Sequence, residues 1–245
     1  MAKSKGTRGR PVSLTTQKRE FQRVLNEAKD LFAIAKPLAT TTTLPQALAD
    51  AGFTNARGRM IIGLAFLRVL GSWDQYLEDV FLRYMMGAKP SVGTAPTLLK
   101  APFKTLDQAF NALCAKKKGV TATRQTDYLS WTQWATISAR AAQYFQRGDL
   151  ITSTLVLGSV EEVCVKDATT IRNKVAHPSK NATARFKATA LRLLGGGATA
   201  LRSGYMPGDL LVAPAPASFP AAHRGKDLFL AFADLLNDLS DRLVP

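Results

Sequence analysis

The eight residues around which the chain is organised are Ile171-Arg172-Asn173-Lys174-Val175-Ala176-His177-Pro178. They contain one of only two histidines in 245 residues. The spacing of apolar residues over 160–175 predicts a helix, and a residue before proline is biased away from the α conformation. We therefore predict that the helix ends at or just before His177. The helix end then carries the guanidinium of Arg172, the amide of Asn173 and the imidazole of His177.

Arg172, Asn173 and His177 form a candidate site for phosphate chemistry. On a helix, residues four apart share a face, so the Asn173 amide could bond one imidazole nitrogen. Arg172 and His177 would lie roughly 140° apart on a regular helix, but a helix end before Pro178 frees the histidine to turn toward the arginine. A guanidinium can stabilise phosphoryl charge, and an imidazole can move a proton near neutral pH. The alternative is an ordinary helix end, where Lys174 and a protonated His177 complement the dipole.

The charge of the chain favours a polyanionic partner. The sequence has 33 Lys and Arg against 18 Asp and Glu, a formal net charge of +15, and its 46% hydrophobic content is ample for a core. An excess of cations neutralises phosphates and steers polyanions toward the protein. Ribosomal and chromosomal packing proteins are often equally basic, so the charge does not separate an enzyme from a binding protein.

Other chemistries have little support in the sequence. Cys114 and Cys164 lie far apart and provide neither a disulfide framework nor a metal-ligand spacing. No phosphate-binding glycine loop and no serine elbow occurs, so we expect no nucleotide hydrolysis or acyl transfer, no cofactor and no metal. The start has no apolar signal segment, and the longest apolar run, 60–67, is too short to span a bilayer. We expect a cytoplasmic protein with no membrane segment.

Apolar periodicity predicts an all-α fold of about six to eight helices in a single domain over 13–245, after a disordered basic arm over 1–12. The lysines at 116–118 are predicted to favour a helix C-terminus or to bind phosphates. The segment 150–157 is predicted to be a buried loop or a helix start. Helices are predicted from Ser13 to before Pro37, over 46–51, 59–86 and 105–117, from Ser130, from Ser159 to about His177, and over 182–194 and 225–243.

Several side chains on these helices have predicted environments. Asp74, Glu78 and Asp79 lie on the second half of the long helix, and we expect them in solvent, although Glu78 is one turn from Asp74 and could face a site. His223 is expected to be structural. Aromatic residues at helical spacing are expected in the core rather than as base-stacking platforms: Trp131, Trp134 and Tyr144.

The motif Arg172-Asn173-Lys174-Val175-Ala176-His177 resembles the signature of the HEPN superfamily. In that signature an arginine and a polar residue are followed by apolar spacers, and a histidine comes after four to six intervening positions. The segment from Ser72 to Arg83 resembles the family's earlier core helix, which commonly carries an aromatic-Leu-Glu pattern. The resemblance covers about residues 60–85 and 160–178 and is greatest to the branch associated with ribonucleases and defence systems. It implies a HEPN-like helical bundle with extra helices and long loops.

The resemblance also implies a function, that of a homodimeric, metal-independent endoribonuclease acting as a toxin or antiviral-defence effector, with a possible antitoxin or defence-system partner. Arg172 and His177 carry over as catalytic residues, Asn173 as the polar residue that supports them, and Glu78 as an orienting acid. The alternative is a non-catalytic HEPN-like RNA-binding or scaffold protein, as some family members have lost activity. Chemistry gives separate support for a dimer with its active site at the interface. RNA cleavage through the 2′-OH benefits from both a base and an acid, and one chain offers one credible histidine.

Overall fold

The computed structural model describes residues 13–114, 124, 129–195 and 200–245. Within these ranges the chain is helical, with isolated β-bridges in place of strands, so the predicted all-α class is confirmed. The predicted basic arm over 1–12 and the lysines at 116–118 lie outside the described residues. The α-helices of the described ranges are α1 (Leu14–Thr40), α2 (Gln46–Asp50), α3 (Asn55–Met85), α4 (Leu106–Cys114), α5 (Trp134–Tyr144), α6 (Leu150–Thr154), α7 (Val160–Ala176), α8 (Lys180–Leu193), α9 (Pro207–Leu211) and α10 (Leu228–Leu243).

Two long antiparallel helices, α1 and α3, form the centre of the fold. At one end Phe21 packs against Trp73, with ring centroids 5.5 Å apart. At the other end the helices approach most closely at Gly58, where a Cβ atom would lie 2.7 Å from the backbone nitrogen of Ala39. Because real Cβ atoms do not come so close to backbone, only glycine permits this crossing.

The predicted end of α1 before Pro37 is wrong. The helix continues through Pro37 to Thr40, although proline removes one backbone hydrogen bond. Ala35 and Ala39 are buried in the core, and the N–H of Thr41 donates to the Pro37 carbonyl at 3.0 Å. Packing of the last turn and this closing hydrogen bond offset the missing donor.

Helix α10 completes the core beside α1 and α3. Phe229 stacks on Phe32 with centroids 4.5 Å apart, and Phe232 packs on Phe66 at 5.5 Å. Two aspartates of α10 and one at its N-cap pair with lysines along α1, so the ion pairs between the two helices support the alignment that apolar packing sets. The ion pairs are Lys18–Asp241, Lys29–Asp234 and Lys36–Asp227.

Two stretches with weak helical patterns form short helices. The segment 150–157 begins with α6, because the Asp149 side chain accepts hydrogen bonds from the N–H groups of Ile151 and Thr152, both at 3.1 Å. The Pro- and Gly-rich segment 203–220 contains α9, which the sequence did not predict. Pro207 stands at the first helical position, where its missing N–H costs nothing.

The predicted environments of the aromatic residues are confirmed. Trp131, Trp134 and Tyr144 are buried. His223 is also buried, in a 3-10 turn before α10, and its Nε2 lies 3.1 Å from Asp238 Oδ2, as expected of a structural histidine. None of the described helices combines the length and the apolar character that crossing a membrane requires.

Helix α7 packs against both α3 and α8. Near its C-terminal end, Val175 meets α3 at Gly63, where a Cβ atom would lie 3.4 Å from Val175 Cγ2. This close approach lies in the first third of α3 and packs that helix against the stretch of α7 that carries the candidate site.

Candidate active site

The end of α7 is set by its sequence, as predicted. Ser159 caps the start of the helix by accepting a hydrogen bond from the N–H of Glu162 at 3.1 Å. At the other end Ala176 is the last helical residue. His177 leaves the helix with φ −138° and ψ 89°, while its N–H still donates to the Asn173 carbonyl at 2.9 Å. Pro178 favours this conformation of the preceding residue.

The imidazole of His177 is exposed and forms no hydrogen bond or ion pair with the residues that the structure describes. The predicted contact with the Asn173 amide is absent. Asn173 Oδ1 instead lies 3.4 Å from Arg172 Nη1. The four-residue spacing aligns side chains only while both residues are helical, and His177 has already left the helix.

Arg172 is held between its own helix and α3. Its side chain is 24% exposed, and its Nη2 lies 3.7 Å from Asp74 Oδ2, an ion pair that is too long for a hydrogen bond. Its Nε is enclosed and has no hydrogen-bond partner within the described ranges. The guanidinium is positioned by two oxygens, from Asp74 and Asn173, and the remaining N–H groups of its two Nη atoms retain hydrogen-bonding capacity for another group.

Asp74 is the residue of this site that the sequence prediction missed. It was expected in solvent but is only 8% exposed, so that expectation is wrong. Burial raises the pKa of its carboxyl to about 6, and Arg172 opposes that rise only in part. The reason lies in the packing of α3, which is covered by α7 at this level. Asp79, also expected in solvent, is likewise buried.

Glu78, the predicted orienting acid, faces a different cluster. Its carboxylate accepts hydrogen bonds from Arg124 Nε at 2.9 Å and from Trp131 Nε1 at 3.0 Å. Arg124 also donates to Asp79 at 2.7 Å. The structure therefore groups Arg172 with Asn173 and Asp74, and it holds Glu78 in a separate network one turn further along α3.

Two cavities flank the end of α7. One, of about 420 Å³, lies toward α3 and α9 and is lined by the cations Arg59 and Lys174 together with apolar groups. The other, of about 340 Å³, lies toward α5 and α8, and its lining includes Lys166, Arg185 and Asn173. Cations on both sides of one helix end suit an extended polyanion better than a single small anion. A larger cavity, of about 720 Å³, lies elsewhere, beside α5 and α6, and is mostly apolar.

Within the described residues, no three His, Cys, Asp or Glu side chains are grouped so that they could hold a metal ion. Comparison with known protein families, with curated proteins and with solved structures finds no match to this chain.

Proposed function

We propose that the chain is a HEPN-like endoribonuclease that cleaves RNA without a metal ion, through attack of the 2′-OH on the neighbouring phosphate. One observation carries the proposal. At the end of α7, Arg172 is half-buried between Asp74 and Asn173, and the exposed His177 follows on the same helix end. A cation and an exposed imidazole on one helix end are groups that can serve phosphate transesterification, as charge stabiliser and as general base.

In this mechanism His177 acts as the general base that takes the proton of the 2′-OH. Its side chain is exposed, so an RNA strand can reach it. Arg172 stabilises the charge on the phosphoryl oxygens as the new P–O bond forms, and its side chain is 24% exposed, which leaves part of the guanidinium open to the RNA. The 5′-oxygen leaves with a proton from an acid. The products are a 2′,3′-cyclic phosphate and a 5′-OH.

Asp74 and Asn173 are positioning residues in the proposal. Both contact the Arg172 guanidinium and neither needs to touch RNA. Asp74 takes the role of orienting acid that the family resemblance assigned to Glu78, because Glu78 is bonded to Arg124 and Trp131 instead.

A homodimer supplies the missing acid. Among the described residues His177 has no second titratable group bonded to it, and the other histidine, His223, is buried against Asp238. A twofold axis near the end of α7 would bring His177 of a second copy to the same phosphate. One His177 would then act as the general base and the other as the general acid. The active site would then lie at the interface.

The second candidate function is a non-catalytic HEPN-like RNA-binding or scaffold protein. It is favoured by the cations that line both cavities, Arg59, Lys174, Lys166 and Arg185, and by the lack of a described partner that orients His177. In either case RNA is the proposed partner. The proposed setting is cytoplasmic, where the protein acts as a toxin or antiviral-defence effector with an antitoxin or defence-system partner.

The deciding experiment is cleavage of total RNA in EDTA by the wild-type protein and by His177→Ala. Lys180→Ala, an exposed residue at the start of α8, is the matched control for a surface truncation close to the site. We expect His177→Ala to lower the cleavage rate by about 100- to 10,000-fold, the usual contribution of a general acid or base. RNA affinity and the oligomeric state should stay the same.

Mapping of the fragment ends tests the chemistry separately, since the proposal requires 2′,3′-cyclic phosphates. Cleavage that needs Mg²⁺ and survives His177→Ala would refute the mechanism. Tight RNA binding without cleavage, unaffected by His177→Ala but weakened by Lys174→Ala, would favour the binding protein.

A further inference from the structure

Arg83 is a buried cation that the candidate active site does not use. It lies in the last turn of α3 and is only 7% exposed. Its Nε is enclosed and has no hydrogen-bond partner among the described residues. Burial of a charge is costly unless the charge is paired and hydrogen-bonded, so a buried arginine with an unbonded Nε requires an explanation.

The acid closest in sequence, Asp79, does not satisfy Arg83. Asp79 lies one turn earlier and attracts the guanidinium electrostatically, but its oxygens accept hydrogen bonds from other donors. Arg124 Nη2 donates to Oδ1 at 2.7 Å, and Gln75 Nε2 donates to Oδ2 at 3.0 Å. Burial lowers the pKa of Arg83, and the nearby charge of Arg124 lowers it further. In the described part of the chain, Arg83 forms no ion pair.

Arg83 lines a cavity of about 240 Å³ at the start of α1. Ser13 Oγ accepts from the N–H of Thr16, which leaves the N–H groups of Leu14 and Thr15 without an intrahelical acceptor. No acidic residue occupies the first turn of α1, so the positive end of its dipole is not neutralised there. Lys89, which is exposed, adds a second cationic side chain to the lining.

The size of the cavity limits what it can hold. Pockets that enclose whole small molecules have volumes of about 300–1,000 Å³, and a water molecule takes about 30 Å³. A volume of about 240 Å³ therefore admits a phosphate group with a few waters but not a complete nucleotide. Arginine and the N–H groups of a helix start are the protein groups that bind phosphate oxygens best.

We propose that this cavity is a phosphate-binding site, in which Arg83, Lys89 and the backbone N–H groups at the start of α1 hold the anion. The phosphate comes either from solution or from the backbone of an RNA strand. The site lies nine residues along α3 from Asp74, a rise of about 13 Å, so it is distinct from the candidate active site. The assignment to RNA rests on the proposed function, whereas phosphate binding itself does not.

The first test compares thermal unfolding of the wild type, Arg83→Met and Arg68→Met as inorganic phosphate is added at an ionic strength held constant with NaCl. Methionine keeps an apolar chain in the buried space but removes the charge. Arg68 is the matched control, because it is a cation on the same helix that is 53% exposed and pairs with Glu27.

Phosphate that binds only the folded state raises Tm with its concentration. We expect this rise in the wild type and in Arg68→Met, and its loss in Arg83→Met. In phosphate-free buffer Arg83→Met should be at least as stable as the wild type, since an unbonded buried cation is removed. The proposal is overturned if phosphate raises Tm equally in Arg83→Met, or has no effect on the wild type.

The second test identifies the source of the phosphate, by measuring the affinity of each protein for a single-stranded RNA over a range of NaCl concentrations. If RNA supplies the phosphate, Arg83→Met reduces the slope of log K against log salt by about 0.7 relative to the wild type. An unchanged slope with phosphate-dependent Tm assigns the site to free phosphate. His177→Ala should keep the phosphate-dependent rise in Tm, so a failure of the ribonuclease proposal is distinguishable from a failure of this one.

Discussion

Replacement of Asp74 by asparagine measures what it costs the fold to keep a carboxylate beside Arg172. Burial raises the pKa of Asp74 from its ordinary 3.8 to about 6, even with Arg172 3.7 Å away. At about 1.36 kcal/mol for each pH unit, this difference corresponds to about 3 kcal/mol. The ion pair with Arg172 therefore compensates only part of the desolvation of the charged carboxyl.

The sign of the effect follows from proton binding. The folded state holds the Asp74 proton more tightly than the unfolded state, so the free energy of unfolding falls as the pH rises from about 3.8 through about 6. Asparagine has nearly the same shape and no charge. Asp74→Asn should therefore be more stable than the wild type by about 3 kcal/mol above pH 6, which is about 6–12 °C in Tm for a chain of this length. The difference should disappear below about pH 4.

The assay is urea unfolding of both proteins at a series of pH values. Asp30→Asn, which removes an exposed carboxylate from α1, controls for the change in net charge. RNA cleavage by the more stable Asp74→Asn should nevertheless fall, by up to about a hundredfold, because Arg172 loses an oxygen that positions it. If Asp74→Asn is instead less stable than the wild type above pH 6, the carboxylate is a net stabilising ion pair and the reasoning fails.

Two further changes on α3 test the site and the fold. Glu78→Gln should lower the free energy of unfolding by about 2 kcal/mol, because the charge-assisted hydrogen bonds from Arg124 and Trp131 are weakened. Cleavage per folded molecule should stay unchanged. A selective loss of cleavage would instead assign the orienting role to Glu78. Gly58→Ala should destabilise the protein by about 1–3 kcal/mol, because its Cβ would overlap the α1 backbone. Gly71→Ala, on the same helix in open space, should raise stability by about 0.5–1 kcal/mol through helix propensity, and chemical denaturation of both variants checks the pair.

Local rules in the sequence predict most of the helices. The apolar stripe of α3, the serine cap and proline stop of α7, and the stripe of α10 each lie within a few residues of the expected bounds. Local rules fail where tertiary packing outweighs them. Pro37 should end α1, but burial of Ala39 against α3 keeps the last turn helical. Helix α9 is not predicted because it is short and lies in a Pro- and Gly-rich segment, where Pro207 begins the helix.

The candidate site is predictable only in its contiguous part. The contiguous part consists of residues that lie within six positions of each other at one helix end: Arg172, Asn173 and His177. Their spacing in the sequence is enough to predict that they share this helix end. Asp74 is nearly a hundred residues away from Arg172, and its role depends on which face of α3 meets α7. The two helices meet closely at Gly63 and Val175, a contact that no local pattern encodes. For the same reason, local patterns do not indicate that Asp74 lies next to Arg172 while Glu78 bonds to Arg124 and Trp131.

The contrast between these two acids supports a functional role for the Asp74 cluster. Glu78 has hydrogen-bond donors at 2.9 and 3.0 Å, from Arg124 and Trp131, so its charge is compensated where it lies. Asp74 is buried, and its ion pair with Arg172 is 3.7 Å long. The pKa of Asp74 is raised because burial disfavours the charged carboxylate more than Arg172 stabilises it. If packing were the only requirement, asparagine at position 74 would give a more stable protein. A carboxylate that weakens the fold, placed behind a half-buried arginine at the helix end that carries His177, is the kind of compromise that active sites make.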